Sequence, residues 1–162
     1  MNFLEYIKTL PPEIVTYLLA MAPIGELRTS IPFAMTVLKM STWGAFFFSL
    51  AGTVTITIIL YFLLDPVTIF LRSRSKTMDQ FFEWLFHRTR TKHSKKMHEL
   101  GLIALLVFVA IPLPGSGVWT GTLIAYLFNV KSSHGIPIIA LGATMTAVFI
   151  TFGTDFLLFL FR

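Results

Sequence analysis

Long apolar runs alternate with short polar interruptions along the whole chain. The uncharged run Trp43–Leu64 is long enough to cross a hydrocarbon core about 30 Å thick as a helix. A second run, Gly135–Phe161, contains a single charged residue, Asp155. These runs predict two membrane-spanning helices, at about 43–70 and about 134–161.

Two further apolar stretches are interrupted by helix-breaking residues. The first break is Pro23-Ile-Gly-Glu-Leu-Arg-Thr-Ser-Ile-Pro32, and the second is Ile111-Pro-Leu-Pro-Gly-Ser-Gly-Val-Trp-Thr-Gly121. A bilayer tolerates irregular backbone only where protein or a water-filled cavity surrounds it. We predict that the stretches are re-entrant helical hairpins, at about 12–40 and about 100–130, although complete crossings would also fit. The residues expected to shape the breaks are Pro23, Gly25, Pro32, Pro112, Pro114, Gly115, Gly117 and Gly121.

The two halves of the chain are similar to each other. A shift of about 91 positions aligns Pro23 with Pro114 and Gly44 with Gly135. Both halves also show the same order of features: a broken apolar stretch, a short polar loop and a long uninterrupted span. We therefore predict an all-α integral membrane protein with two inverted repeats, residues 1–71 and 100–162, each a re-entrant helical hairpin followed by a transmembrane helix.

Composition supports the membrane assignment. The chain is 55% hydrophobic and 13% charged, with a mean hydropathy of +0.76, whereas soluble domains are about 25% charged. The absence of cysteine excludes disulfides and thiolate metal sites. The first residues lack the basic region of a signal peptide, so we predict none.

The basic residues are concentrated between the two halves. Eight of the thirteen Lys and Arg residues lie in the range 72–96, which argues against nucleic-acid binding and places this segment on the cytoplasmic side. We predict that residues 72–99 form a basic amphipathic linker helix at the membrane interface, or alternatively one packed over the helix bundle. Its apolar face would carry Met78, Phe81, Phe82 and Leu85.

Two opposite charges lie in the first break. Arg28 could hold an anionic head group by a charge-assisted contact, and the poorly solvated Glu26 could carry a proton. The alternative is an internal ion pair that never touches substrate. Asp155 is a second proton-coupling candidate, whereas Asp65, which precedes Pro66, is interpreted as a solvated residue at a helix end.

The second break offers uncharged polar groups. Ser116, Trp119 and Thr120 supply hydroxyl and indole donors beside a helix N-terminus, which favours an anion. Close packing of small residues explains the same pattern equally well. The sequence shows no nucleophile–base set and no metal-ligand spacing, so we expect neither an enzyme nor a cofactor or metal site.

The motifs Glu26-Leu-Arg-Thr-Ser-Ile-Pro32 and Ile111-Pro-Leu-Pro-Gly-Ser-Gly-Val-Trp-Thr-Gly121 resemble the two signatures of the small multidrug export protein family. That family is distantly related to the DedA/VTT membrane proteins. The resemblance implies two inverted re-entrant hairpins, each followed by a transmembrane helix. It also implies translocation of phospholipid or polyprenyl-phosphate carriers and dependence on the proton-motive force.

The residues and the resemblance together favour a transporter for an amphipathic, anionic, lipid-like substrate, with proton coupling as a further expectation. An exporter of lipophilic cations, with Glu26 as counter-charge, and a membrane scaffold without transport are the alternatives. We expect membrane lipids as partners, a homodimer as the assembly, and the inner membrane of a prokaryote as the location.

Overall fold

The computed structural model describes residues 10–24, 26–77, 79–80, 83–84, 95–113 and 115–161. Within these ranges the chain is helical and contains no strand, which confirms the predicted fold class at that level. The helices are α1 Pro12–Met21, α2 Glu26–Thr36, α3 Thr42–Arg74, α4 Lys95–Ala110, α5 Val118–Leu127 and α6 Ser132–Leu160.

Helices α3 and α6 are long and apolar enough to cross a membrane. With 33 and 29 residues, they extend about 50 Å and about 44 Å, well beyond the hydrocarbon thickness. Helix α3 runs through Pro66 to Arg74, so Asp65 lies inside the helix and its interpretation as a helix-end residue is wrong. A proline removes one backbone donor, and the rest of so long a helix retains its hydrogen bonds.

The other helices form two short pairs. Helix α1 packs against α2, and α4 packs against α5. Helices α1, α2 and α5 have 10, 11 and 10 residues, which is about 15–17 Å each. Pro32 lies inside α2 and does not bound the first break, because α2 already begins at Glu26.

The structure divides into two compact units, which lie within Met1–Ile56 with Ala143–Arg162 and within Thr57–Gly142. The first unit contains α1, α2, the first part of α3 and the last part of α6. The second contains α4, α5, the first part of α6 and the last part of α3. Each unit therefore consists of one broken helix pair, the start of the long helix that follows it and the end of the other long helix.

The element bounds follow the internal similarity of the sequence. The loops after α2 and α5 each contain a residue in the left-handed conformation, Lys39 with φ 53° and Asn129 with φ 55°. In both loops an N–H bonds back to an alanine carbonyl at 2.9 Å, Ala34 in the first and Ala125 in the second. Such left-handed caps satisfy carbonyls that a helix end leaves open.

The linker is described only in part. Helix α4 begins at Lys95, inside the predicted linker of residues 72–99. Trp84 is exposed. The predicted apolar face lies outside the described residues: Met78, Phe81, Phe82 and Leu85.

Candidate transport site at the helix breaks

The first break centres on a buried acid. Glu26 is the first residue of α2, is 9% exposed and has a φ of 45°. A glutamate in the left-handed region costs about 1–3 kcal/mol and persists where the surroundings hold it in place. Glu26 lies at the N-terminus of α2, where the first backbone N–H groups have no partner within the helix. Strain and buried charge at one residue are characteristic of a functional position.

Arg28 lies two residues further along α2 and is half-buried. On a regular helix residues two apart point in different directions, but the left-handed backbone of Glu26 departs from that regular geometry. The more accessible charge of the first break is therefore the cation. Pro23 and Ile24 form an exposed turn before α2, and Gly25 lies outside the described residues.

Ser30 is a polar residue that the sequence analysis missed. It lies four positions after Glu26, on the same face of α2, and is fully buried. Its hydroxyl has no hydrogen-bond partner among the described residues. A buried hydroxyl without a partner is costly. The spacing of four from Glu26 is the sequence signal that could have identified Ser30.

The second break is held by its own serine. The Ser116 Oγ lies 2.6 Å from the Ile111 carbonyl oxygen and 2.9 Å from that of Leu113, and it accepts a hydrogen bond from the Leu113 N–H at 3.1 Å. Ser116 is 6% exposed. These bonds replace helical bonds that the break lacks, so the described contacts give Ser116 a structural role in addition to any contact with substrate.

The residues after Ser116 begin α5. Trp119 and Thr120 lie in its first turn and are half-buried, close to the N–H groups that a helix leaves without intrahelical partners at its N-terminus. Gly115 has a φ of 84°, which a residue with a side chain adopts only at a cost. Pro112 and Gly117 are half-buried, and Pro114 lies outside the described residues.

Gly121 is a packing position. A Cβ there would lie 2.6 Å from the Val109 Cγ2, so α4 and α5 approach each other closely at this point. This contact supports the packing interpretation for at least part of the second motif.

Asp155 lies near the start of α3. It is exposed, and its carboxylate accepts a hydrogen bond from the Thr42 hydroxyl at 3.3 Å. Thr42 is the first residue of α3, where a carboxylate is stabilised by the helix dipole. The contact therefore associates Asp155 with the loop that follows α2, whereas Glu26 lies at the opposite end of α2.

Another polar cluster lies in the second unit. The Tyr126 hydroxyl is hydrogen-bonded to the side chains of Asp65 and Thr68, and Arg72 bonds Asp79 at 2.6 Å. Asp65 is exposed, as its interpretation as a solvated residue predicts, but it also has a partner on α5 that the sequence does not indicate.

No group of residues in the described ranges could hold a metal ion. The two long apolar helices, together with the charged break before α2, are typical of a helical membrane protein. Comparison with known families gives the assignment: the sequence model described as "Putative small multi-drug export protein" matches residues 26–150, so the chain belongs to this family. Searches of curated proteins and of solved structures found no match. The family description identifies the class as membrane transport.

Proposed function

We propose that the protein is a transporter that moves an amphipathic, anionic, lipid-like substrate across the membrane. The observation that carries the proposal is the first break, where a buried, strained Glu26 and the more accessible Arg28 begin a short helix in an apolar chain. Charged residues within a membrane segment are costly, and where they occur they commonly mark the pathway of a substrate or an ion.

The short helices support re-entrant hairpins. Neither α1 nor α2 alone can cross a core about 30 Å thick, since each is about 15–17 Å long. Joined end to end they could just cross it, but α1 and α2 pack against each other side by side. The pair α4 and α5 repeats this arrangement. Each pair would enter the membrane and return on the same side, followed by one complete span.

The difference in exposure between the two charges favours an anionic substrate. The guanidinium of Arg28 can form paired hydrogen bonds to a phosphate group, and Arg28 is the less buried of the two. Glu26, which is buried four residues before the buried Ser30, would bind and release a proton during the cycle. Trp119 and Thr120 would provide further donors in the second break.

Export of lipophilic cations is a second candidate, and the family description favours it. In that case Glu26 is the counter-charge of the substrate, and Arg28 compensates the charge of Glu26 when no substrate is bound. This function uses the same break, with the roles of the two charges exchanged.

The experiment compares variants of the two charges in reconstituted vesicles, using a fluorescent anionic phospholipid and a fluorescent lipophilic cation as probes. Arg28→Ala should reduce phospholipid movement at least about tenfold, the loss expected when one charge-assisted contact is removed. Arg28→Lys should restore part of it. Glu26→Gln should leave phospholipid movement but remove its dependence on a proton gradient.

Arg74→Ala is the matched control, because Arg74 is an exposed cation at the end of α3. It should behave as the unmodified chain does. Loss of cation export in Glu26→Gln, with Arg28→Ala unchanged, would establish the second candidate instead. Normal movement of both probes in both variants would exclude a transport role for the first break.

The distribution of basic residues supports a cytoplasmic linker and a location in the inner membrane of a prokaryote. We also propose a homodimer, because two long spans and two short pairs provide few helices to enclose a substrate.

A further inference from the structure

One face of the second part of α3 carries most of its polar and tightly packed residues. Tyr61, Asp65, Thr68 and Arg72 follow one another at spacings of four, three and four, which places them in a row along the helix. Thr68 is 5% exposed, although its neighbours on either side, Val67 and Ile69, are exposed. Thr68 and Tyr61 are therefore covered by other parts of the protein, whereas Asp65 in the same row is exposed.

Tyr126 of α5 is the residue that covers the centre of this row. Its hydroxyl donates a hydrogen bond to the Asp65 carboxylate and accepts one from the Thr68 hydroxyl. Both the donor and the acceptor capacity of the hydroxyl are thereby used. Tyr126 lies at the end of α5 opposite Trp119 and Thr120, so a contact that fixes it also fixes the helix that carries the second break.

The two end residues of the row, Tyr61 and Arg72, make contacts with residues outside α5. The Tyr61 ring lies so close to Gly135, near the start of α6, that a Cβ at position 135 would overlap it. Arg72 bonds Asp79 at 2.6 Å, but with 37% and 47% exposure this ion pair contributes little. The two hydrogen bonds of Tyr126 therefore provide the specific connection between α3 and α5.

We propose that Tyr126, Asp65 and Thr68 form a lock that positions α5, and with it the second break, against the second part of α3. These are positioning residues, because they act on the substrate only through α5. The lock is a property of the second unit alone. Its consequence for transport rests on the function proposed above, in which the second break contributes donors to the substrate.

The lock can be tested without any transport assay, because the chain contains no cysteine and two can be introduced for spin labels. Ile69→Cys on α3 and Phe128→Cys just after α5 are suitable, since both side chains are exposed. The distance between the labels, measured by pulsed electron spin resonance in vesicles, should show one main population in the unmodified background.

Tyr126→Phe removes the hydroxyl and keeps the ring, and it should add a second, longer-distance population. An average hydrogen bond in a membrane protein shifts an equilibrium roughly threefold, so loss of both should enlarge the released population up to about eightfold. Thr68→Val, which keeps the volume and removes one bond, should give roughly a threefold change. If Tyr126→Phe does not fold, Thr68→Val alone still tests the lock.

Tyr17→Phe is the matched control, because Tyr17 lies on α1, in the unit that does not contain the lock. It should leave the distances unchanged. Identical distance distributions in Tyr126→Phe, Thr68→Val and the unmodified background would overturn the lock. A changed distribution together with no movement of the fluorescent phospholipid by the unmodified protein would retain the lock and reject the proposed function. A changed distribution with altered phospholipid movement in Tyr126→Phe would support both.

Discussion

Glu26 combines two features that rarely occur together in a helical membrane protein. Its backbone is left-handed at the first position of α2, and its side chain is 9% exposed. Selection for stability alone would favour glycine here, since glycine adopts a positive φ without steric cost. The proposed role of the carboxylate in transport would explain why a residue with a side chain occupies this position at the cost of some stability.

Substitution at position 26 should separate the backbone contribution from the side-chain contribution. Glu26→Gly and Glu26→Ala both remove the carboxylate, but only glycine fits a φ of 45°. We expect Glu26→Gly to be more stable than Glu26→Ala by about 1–2 kcal/mol, measured by thermal unfolding in detergent. Neither variant should support proton-dependent transport.

In a regular helix, by contrast, alanine is expected to be more stable than glycine. Gly101 lies on α4, and a Cβ added there would meet no neighbouring atom within 4 Å, so Gly101→Ala should gain up to about 1 kcal/mol from helix propensity. If alanine were also the more stable residue at position 26, the left-handed backbone of Glu26 would not exist in solution.

In both units a long helix makes close contact with a shorter helix at a glycine. In the first unit α3 approaches α1 at Gly52, where a Cβ would overlap the Tyr17 carbonyl oxygen. In the second unit α6 approaches α4 at Gly142, where a Cβ would lie 2.9 Å from the Val109 Cβ and 3.1 Å from the Leu106 carbonyl oxygen. Each unit thus joins its long helix to its broken pair through a glycine, as small residues permit in membranes.

Gly52→Ala should separate α3 from α1. The added methyl group meets backbone that cannot rotate away, so we expect a loss of about 1–3 kcal/mol in unfolding free energy. Gly153→Ala on α6 is the control, because nothing lies within 4 Å of the added carbon. Equal melting temperatures for the two variants would show that α1 and α3 are not in contact at Gly52.

The sequence predicted these elements well wherever the signal was local. Apolar length identified α3 and α6, and the motifs around Pro23 and Pro114 located the interruptions. The predictions from proline were wrong where the proline lies inside a helix: Pro66 does not end α3, and Pro32 lies within α2. A missing donor weakens a helix but does not end it when the neighbouring turns remain bonded.

The polar partners could not be predicted in the same way. Asp65 and Tyr126 are far apart in sequence, and nothing near either residue indicates the other. The spacing of Asp65, Thr68 and Arg72 on one face of an apolar helix was the available signal that a polar partner covers that face. The Oγ of Ser116, by contrast, bonds the backbone of its own loop, a local pattern that serine commonly makes in turns.

At the scale of the whole molecule, each of the two units contains segments from both halves of the sequence. Each unit takes the end of its second long helix from the other half of the sequence. Neither half can therefore form its unit alone, and both long helices link the two units through continuous backbone.

The topology gives the last prediction. With re-entrant hairpins, the loop after α2 and the loop after α5 lie on opposite sides of the membrane, and the second loop shares the side of the linker. With complete crossings, the two loops lie together, opposite the linker. Single cysteines at Val37, Phe128 and Lys76, all exposed positions, distinguish these cases by labelling with an impermeant maleimide in oriented vesicles.

We expect Phe128→Cys and Lys76→Cys to react from one side and Val37→Cys from the other. This outcome follows from helix length together with the packing of α1 on α2 and of α4 on α5, because α1, α2 and α5 are each about half as long as the hydrocarbon core is thick. If Val37→Cys and Phe128→Cys reacted from the same side, the hairpins would have to cross completely. Glu26 and Arg28 would then lie partway along a crossing segment instead of at the tip of a hairpin, and the proposed site would lose its basis.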